Sequence, residues 1–192
     1  MKKIREEIAK ASEVILSGGI VCFPTESTYG LAALASNHEA LERLAEVKGR
    51  NETSPFGLIV PSIASAKELV ENWSPKAQML ADMHWPGPLT MVMKAKSGVH
   101  SRLLGDGAGI GFRITSHKIA QQLVESVGSP ITATSANLSG QSNAQSIGEA
   151  KGQLGADVDY YLDGGECGDQ PSTVVFVNQE DIKVLRPGPI DL

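Results

Sequence analysis

The sequence predicts an α/β fold: one domain over residues 1–192, with a twisted mixed β-sheet flanked by helices. Apolar runs of strand length alternate with helical patterns over short connections, which is the signature of a layered α/β domain. The last three strand-like runs follow one another without helices between them, so the sheet is mixed. No repeat, low-complexity tract or linker divides the 192 residues, and a chain of that length buries roughly 70% of its unfolded surface.

Each element has its own signal. Ile4, Ile8, Ala11 and Ile15 recur at helical spacing, and Gly18-Gly19 supplies the stop. Ile20–Phe23 is a short apolar strand that ends at Pro24 and passes into the polar stretch Thr25–Tyr29. Ser36–Glu39, "SNHE", has the pattern of a capping box opening a helix through Leu41, Leu44 and Val47. Gly57–Val60 is a buried strand. Helices are expected over Ser62–Glu71 and Ser74–Met83, the second with Pro75 in its first turn, and "WPGP" at Trp85–Pro88 breaks it. "LTMVMKA" and "GAGIGFRI" are strands, Ser116–Val127 a helix, and "SPITATS" one further strand that runs into the loop "SANLSGQSNAQS". A short helix around Ile147–Leu154 precedes strands near Val158–Leu162, Ser172–Val177 and Lys183–Leu185.

Composition excludes several classes. Seventeen Lys and Arg against 22 Asp and Glu give a net charge of −5, the wrong sign for a protein that coats nucleic acid. No segment approaches the ~18 apolar residues of a membrane span, and the charged N-terminus does not match a signal peptide. A cytoplasmic protein without membrane contact is expected. Cys22 and Cys167 form no short-spaced pair, and Cys22 sits within an apolar run as a small core residue. The four histidines are scattered without metal-ligand spacing, so no protein-held metal is expected. "GDGAGIG" at Gly105–Gly111 does not match the dinucleotide fingerprint, and a strand rather than a helix follows it.

Several polar residues stand where chemistry is plausible. Lys48 and Arg50 in "VKGR" close a helix, where cations also complement the helix dipole. Ser135 and Asn137 leave the end of an apolar strand, the place where open α/β sheets hold ligands. Arg113 lies inside a strand; turned inward, its planar fork suits carboxylate or phosphate. Ser172 and Thr173 enter a buried strand, and Arg186 follows another and is held by Pro187-Gly188.

Taken in order, "FPTESTYGL", "KGR", "WPGPLT", "FRIT", "TSANLSG", "PSTVV" and "LRPG" resemble the YrdC-like threonylcarbamoyl-AMP synthase family over about Ile4 to Pro189, nearly the whole chain. The resemblance implies one deep basic cavity and the condensation of L-threonine, bicarbonate or CO2, and ATP into threonylcarbamoyl-adenylate and pyrophosphate. It implies a nucleotidyltransferase that works with Mg2+ on the ATP. Its product goes to a downstream threonylcarbamoyl transferase complex that modifies tRNA beside the anticodon, with weak tRNA contact at most. Matched motif by motif, Lys48 and Arg50 would be catalytic and face ATP. Ser54, Ser135, Asn137, Asn143 and Arg186 would contact the nucleotide. Thr25, Arg113 and Ser172 would hold threonine, with Ser27 and Tyr29 on the same wall.

After "KGR" the chain departs from the family pattern. Asn51 replaces a proline, Glu52 adds a negative charge, and Ser54 stands where a longer polar side chain is common. Three other readings compete: a non-catalytic YrdC-like module binding tRNA or double-stranded RNA, the related domain of hydrogenase-maturation proteins, and a nucleotide-binding paralogue without synthesis. The net charge opposes the first. The second normally sits in a larger chain with zinc-finger and acylphosphatase segments, and the shorter, single-domain branch of the family is expected here. Retention of both K-x-R and S-x-N favours the synthase over the third.

Overall fold

The structure is a computed structural model that describes residues 2–49, 54–168 and 170–192. The chain opens with helix α1 (Lys2–Leu16), whose buried stripe Ile8, Ala11 and Ile15 is the predicted one. It ends where Gly18 takes φ +89°, a left-handed turn that glycine adopts at little cost, with Gly19 N–H on Val14 O at 2.8 Å. The stripe packs on Ala120, Leu123, Val124 and Val127 of helix α5 (Lys118–Val127).

Strands β1 (Val21–Phe23) and β2 (Gly30–Ala32) form an antiparallel hairpin. The β2 strand was not expected, because its three residues are too few for a period-2 pattern to declare itself. As a result, the polar stretch from Pro24 to Tyr29 is the loop of a hairpin. Helix α2 (His38–Val47) follows, capped by Asn37, whose Oδ1 accepts from Ala40 N–H at 3.0 Å. The cap is therefore Asn37 rather than Ser36, and with alanine at position 40 it lacks the reciprocal side chain of the capping box that "SNHE" suggested. Asn37 has the extended backbone a cap requires and is as good an acceptor as serine.

Strand β3 (Leu58–Ile59) leads into helices α3 (Ile63–Leu69) and α4 (Pro75–His84), capped by Ser62 and Ser74 with Pro75 in the first turn. Strands β4 (Leu89–Lys94) and β5 (Gly109–Arg113) pair antiparallel, and α5 follows. The expected single strand "SPITATS" is two, β6 (Ile131–Thr132) and β7 (Thr134–Ser135). Helix α6 (Ile147–Leu154) and strands β8 (Tyr160–Tyr161), β9 (Thr173–Val177) and β10 (Ile182–Arg186) complete the chain.

The expected one sheet is also two, both mixed. The smaller runs β7-β2-β1-β8 and the larger β10-β9-β4-β5-β3-β6. The chain passes from one to the other at Ala133, since β6 pairs with β3 and β7 with β2. Thr132 secures the crossing: its Oγ1 accepts from Ala33 N–H at 2.8 Å and donates to Leu31 O at 2.9 Å. That fixed bend delivers Ser135 into the space between the sheets.

Because α1 and α5 shield one side of the smaller sheet, their seam stabilises it. Ile15 is fully buried, so Ile15→Ala should lower the free energy of urea unfolding by about 2–5 kcal/mol. An unchanged midpoint would show that the seam contributes little.

Candidate functional site

Alternation along the larger sheet gives it two different faces. Leu89, Met91 and Met93 of β4, Phe112 of β5, and Val175 and Val177 of β9 are buried in the core. On the opposite face, Thr90, Val92, Gly111, Arg113, Val174 and Phe176 are only partly covered and floor a cavity of about 780 Å³. The hairpin loop and the Ala133–Ser135 crossing form its other walls. That volume lies within the ~300–1,000 Å³ usual for small-molecule sites.

The hairpin loop is self-braced. Thr25 Oγ1 donates to Thr28 O at 2.7 Å and accepts from the N–H groups of Ser27 and Thr28 at 3.2 and 3.3 Å. Its hydroxyl thus shapes the loop that lines the cavity. Tyr29, fully buried, anchors the far end: its Oη donates to Gly165 O at 2.7 Å and accepts from Gly164 N–H at 3.1 Å. Burial is the main reason its pKa is pushed up to about 12.

At one end of the cavity two guanidinium groups converge on Ser172. Arg113 Nη1 lies 3.3 Å from Ser172 Oγ, and Arg186 Nη2 lies 3.2 Å from the same atom. Arg186 also donates to Ser172 O from Nε at 3.2 Å and Nη2 at 2.8 Å, and Thr90 Oγ1 sits 2.9 Å from Ser172 Oγ. Burial first, and the charge of Arg113 second, pull the pKa of Arg186 below its ordinary value. Two cations so close favour an anion between them.

A second cluster lies behind the Ser135 wall. Lys48 caps α2 and is 1% exposed; its Nζ donates to Ser135 O at 2.5 Å and to Asn137 Oδ1 at 2.7 Å. Asn137 Nδ2 in turn donates to Gln141 O at 2.6 Å, and Ser135 Oγ to Asn137 Oδ1 at 2.6 Å. A buried ammonium is tolerated where carbonyl oxygens solvate it this way.

Of the ten site residues expected from sequence, seven line the cavity: Thr25, Ser54, Arg113, Ser135, Asn143, Ser172 and Arg186. Ser27 and Tyr29 line it as well. Lys48 and Asn137 stand behind Ser135 rather than on the lining, and Arg50, like Asn51 to Thr53, lies outside the described residues. The sequence does not single out Glu26 and Thr90, which hold Arg113 and Ser172, and it does not mark the glycines of "GDGAGIG" as cavity residues. Gly105, Gly109 and Gly111 are part of the cavity wall. A signal was present: Gly109 and Gly111 share a strand face with Arg113 at period two, leaving bare backbone beside the cation. A Cβ on Gly109 would come within 2.9 Å of Val92 Cγ1. Among the described residues, no group of three His, Cys, Asp or Glu side chains is placed to hold a metal ion, and no helix is long and apolar enough to cross a membrane.

The buried protons of Tyr29 and Cys22 give the fold a defined alkaline limit. Burial pushes both groups up to about 12, against ordinary values of 10.0 and 9.0. The native state thus holds these protons more tightly than the unfolded chain, and their contribution to stability is whole below pH 9 and lost as pH rises towards 12. Denaturant midpoints should be flat from pH 7 to 9 and fall above it. Tyr29→Phe should lower stability at pH 8 by about 1–3 kcal/mol, through the unpaired loop groups it leaves, and flatten the fall above pH 10; an unaltered slope would contradict this role.

Similarity to known proteins covers almost the entire chain. The family model Sua5_yciO_yrdC, described as telomere recombination, matches residues 13–188. A threonylcarbamoyl-AMP synthase of Pyrococcus abyssi is 35% identical over 196 residues, covering 98% of this chain and 57% of that protein. A threonylcarbamoyl-AMP synthase of Pseudoalteromonas translucida is 35% identical over 172 residues, covering 87% of this chain and 91% of that one. Among solved structures, P. abyssi Sua5 complexed with L-threonine superposes with a TM-score of 0.89 at 34% identity, covering 94% of this chain and 54% of the other. E. coli YciO superposes with a TM-score of 0.85 at 30% identity, over 96% and 90% of the two chains. The chain spans just over half the length of the P. abyssi proteins it matches. With the family model spanning most of its length and such relatives on both measures, this chain belongs to the Sua5/YciO/YrdC family.

Proposed function

We propose that the chain is a threonylcarbamoyl-AMP synthase, a nucleotidyltransferase that joins L-threonine, bicarbonate or CO2, and ATP into threonylcarbamoyl-adenylate and pyrophosphate. The observation that carries this reading is the convergence of Arg113 and Arg186 on Ser172 at one end of a cavity of about 780 Å³. It is supported by the threonylcarbamoyl-AMP synthase relatives and by the Sua5 structure complexed with L-threonine.

In this reading the carboxylate of L-threonine pairs with the Arg113 fork, with Ser172 and the braced Thr25 loop beside it. The nucleotide occupies the part of the cavity bounded by Ser54, Ser135, Asn143 and Arg186, making the cavity the basic pocket of the enzyme. Lys48 keeps Ser135 in place from behind, and Arg50 is proposed to meet the phosphates. The amine of threonine attacks CO2 and loses a proton, giving a carbamate. A carbamate oxygen then attacks the α-phosphorus, the bond to the β-phosphate oxygen breaks, and pyrophosphate leaves. No protein nucleophile is needed, so the chain contributes positioning and charge neutralisation. Mg2+ would travel with ATP as part of the substrate, bound through phosphates and water. The product would pass to a cytoplasmic threonylcarbamoyl transferase complex acting on tRNA. A net charge of −5 gives no support to an RNA-binding module in its place.

Pyrophosphate release by the purified chain should require ATP, L-threonine and bicarbonate together. Release that persists without threonine, or none at all despite ATP binding, would reject the synthase. Each charge-assisted hydrogen bond is worth about 1.5–3 kcal/mol. Lys48→Ala should therefore lower kcat/KM at least tenfold, and Arg113→Ala should raise the KM for threonine more than that for ATP. Kinetics like those of the parent protein in both variants would remove these residues from the site.

A further inference from the structure

Arg113 is held from below by a group that the reaction does not use. Glu26 Oε1 lies 3.1 Å from Arg113 Nε, off the hydrogen-bond direction, with the two side chains 15% and 11% exposed. Its other oxygen, Oε2, accepts from Thr115 Oγ1, and Thr115 is fully buried. Thr115 Oγ1 itself accepts from His117 N–H, at the start of α5, at 3.2 Å. The Thr115 hydroxyl thus ties the carboxylate to the N-cap of α5.

Two consequences follow from that placement. Glu26 occupies the Nε side of the guanidinium and leaves Nη1 on Ser172, so the fork faces the cavity in one orientation. It also cancels one of the two cationic charges, leaving Arg113, Arg186 and Glu26 with a net charge of one. We propose that Glu26 is a positioning residue for Arg113 and sets the charge of this end of the cavity, so that it takes a ligand presenting one carboxylate and disfavours a dianion. The identity of that ligand as L-threonine rests on the function proposed above; the charge-setting role does not.

Glu26→Gln keeps the shape and removes the charge. L-Threonine is net neutral, so it gains nothing from the extra positive charge and loses the fixed fork. Sulfate is a dianion without a preferred face, and it gains. Binding of L-threonine to the full chain would be measured by titration calorimetry, and sulfate binding followed at the Arg113 Nε–H resonance, which reports this spot. The expected result is a shift of the affinity ratio towards sulfate by about tenfold or more, with partial recovery of the ratio in Glu26→Asp. If both affinities are unchanged, or both fall together, the proposal is overturned. Should the parent protein bind no L-threonine while Glu26→Gln still tightens sulfate, the threonine reading fails and the role of Glu26 stands. Should Glu26→Gln not fold, Glu26→Asp decides alone. Its withdrawn carboxylate should move the Arg113 resonance and shift the ratio the same way by a smaller factor, and an unmoved ratio overturns the proposal.

Discussion

Two guanidinium groups share one buried hydroxyl, and most of the molecule is arranged to make that tenable. Arg113 and Arg186 both reach Ser172 Oγ, at 3.3 and 3.2 Å. Like charges this close in a partly dry site repel strongly, because solvent screening is reduced there. Arg186 is offset by Ser172 O, which accepts twice from it, and Arg113 by Glu26. The remaining imbalance is what a bound anion would relieve. The repulsion is thus stored in the fold rather than generated on binding, the arrangement expected of a preorganised electrostatic site.

The two sheets supply the rigidity. The larger sheet brings Thr90, Arg113 and Ser172 together from β4, β5 and the entry to β9, three neighbouring segments whose register fixes their spacing. The smaller sheet contributes the hairpin loop, which Thr25 braces internally and Tyr29 ties to the Gly164–Gly165 turn. Thr132 links the sheets at the crossing, and Lys48 holds Ser135 just beyond it. Polar side chains that a sequence reader assigns to ligand contacts therefore divide into two kinds. Arg113, Arg186 and Ser172 present themselves to the cavity, whereas Thr25, Lys48 and Asn137 use their polar atoms on the protein itself.

The legibility of the sequence followed the range of the forces involved. Helices announced themselves through stripes such as Ile8, Ala11 and Ile15, since a helix buries one face locally. Most strands, and the cap and proline of α4, were readable for the same reason. The β2 strand was not, because three residues are too few to show a period, and nor was the break at Ala133, which depends on partners far away in sequence: Ser135 with Gly30, and the turn of Thr132 onto Leu31 and Ala33. For the site, five of the residues named from the ordered motifs line the cavity, Thr25, Arg113, Ser135, Ser172 and Arg186, and so do Ser54 and Asn143 from the segments that follow two of those motifs. Glu26 escaped notice because an acid in a polar loop has no pattern that reveals a distant arginine. The glycines beside Arg113 are legible as part of the strand "GAGIGFRI", but the sequence alone does not show that their face of it meets the cavity.

The central claim of the proposed function is that Arg113, with Ser172 beside it, holds the carboxylate of L-threonine. Titration calorimetry with L-threonine, and with threoninol in which an alcohol replaces the carboxylate, tests it most directly. Saturable binding of threonine and none of threoninol is the predicted result. Equal binding of the two, or of neither, would contradict the assignment of Arg113.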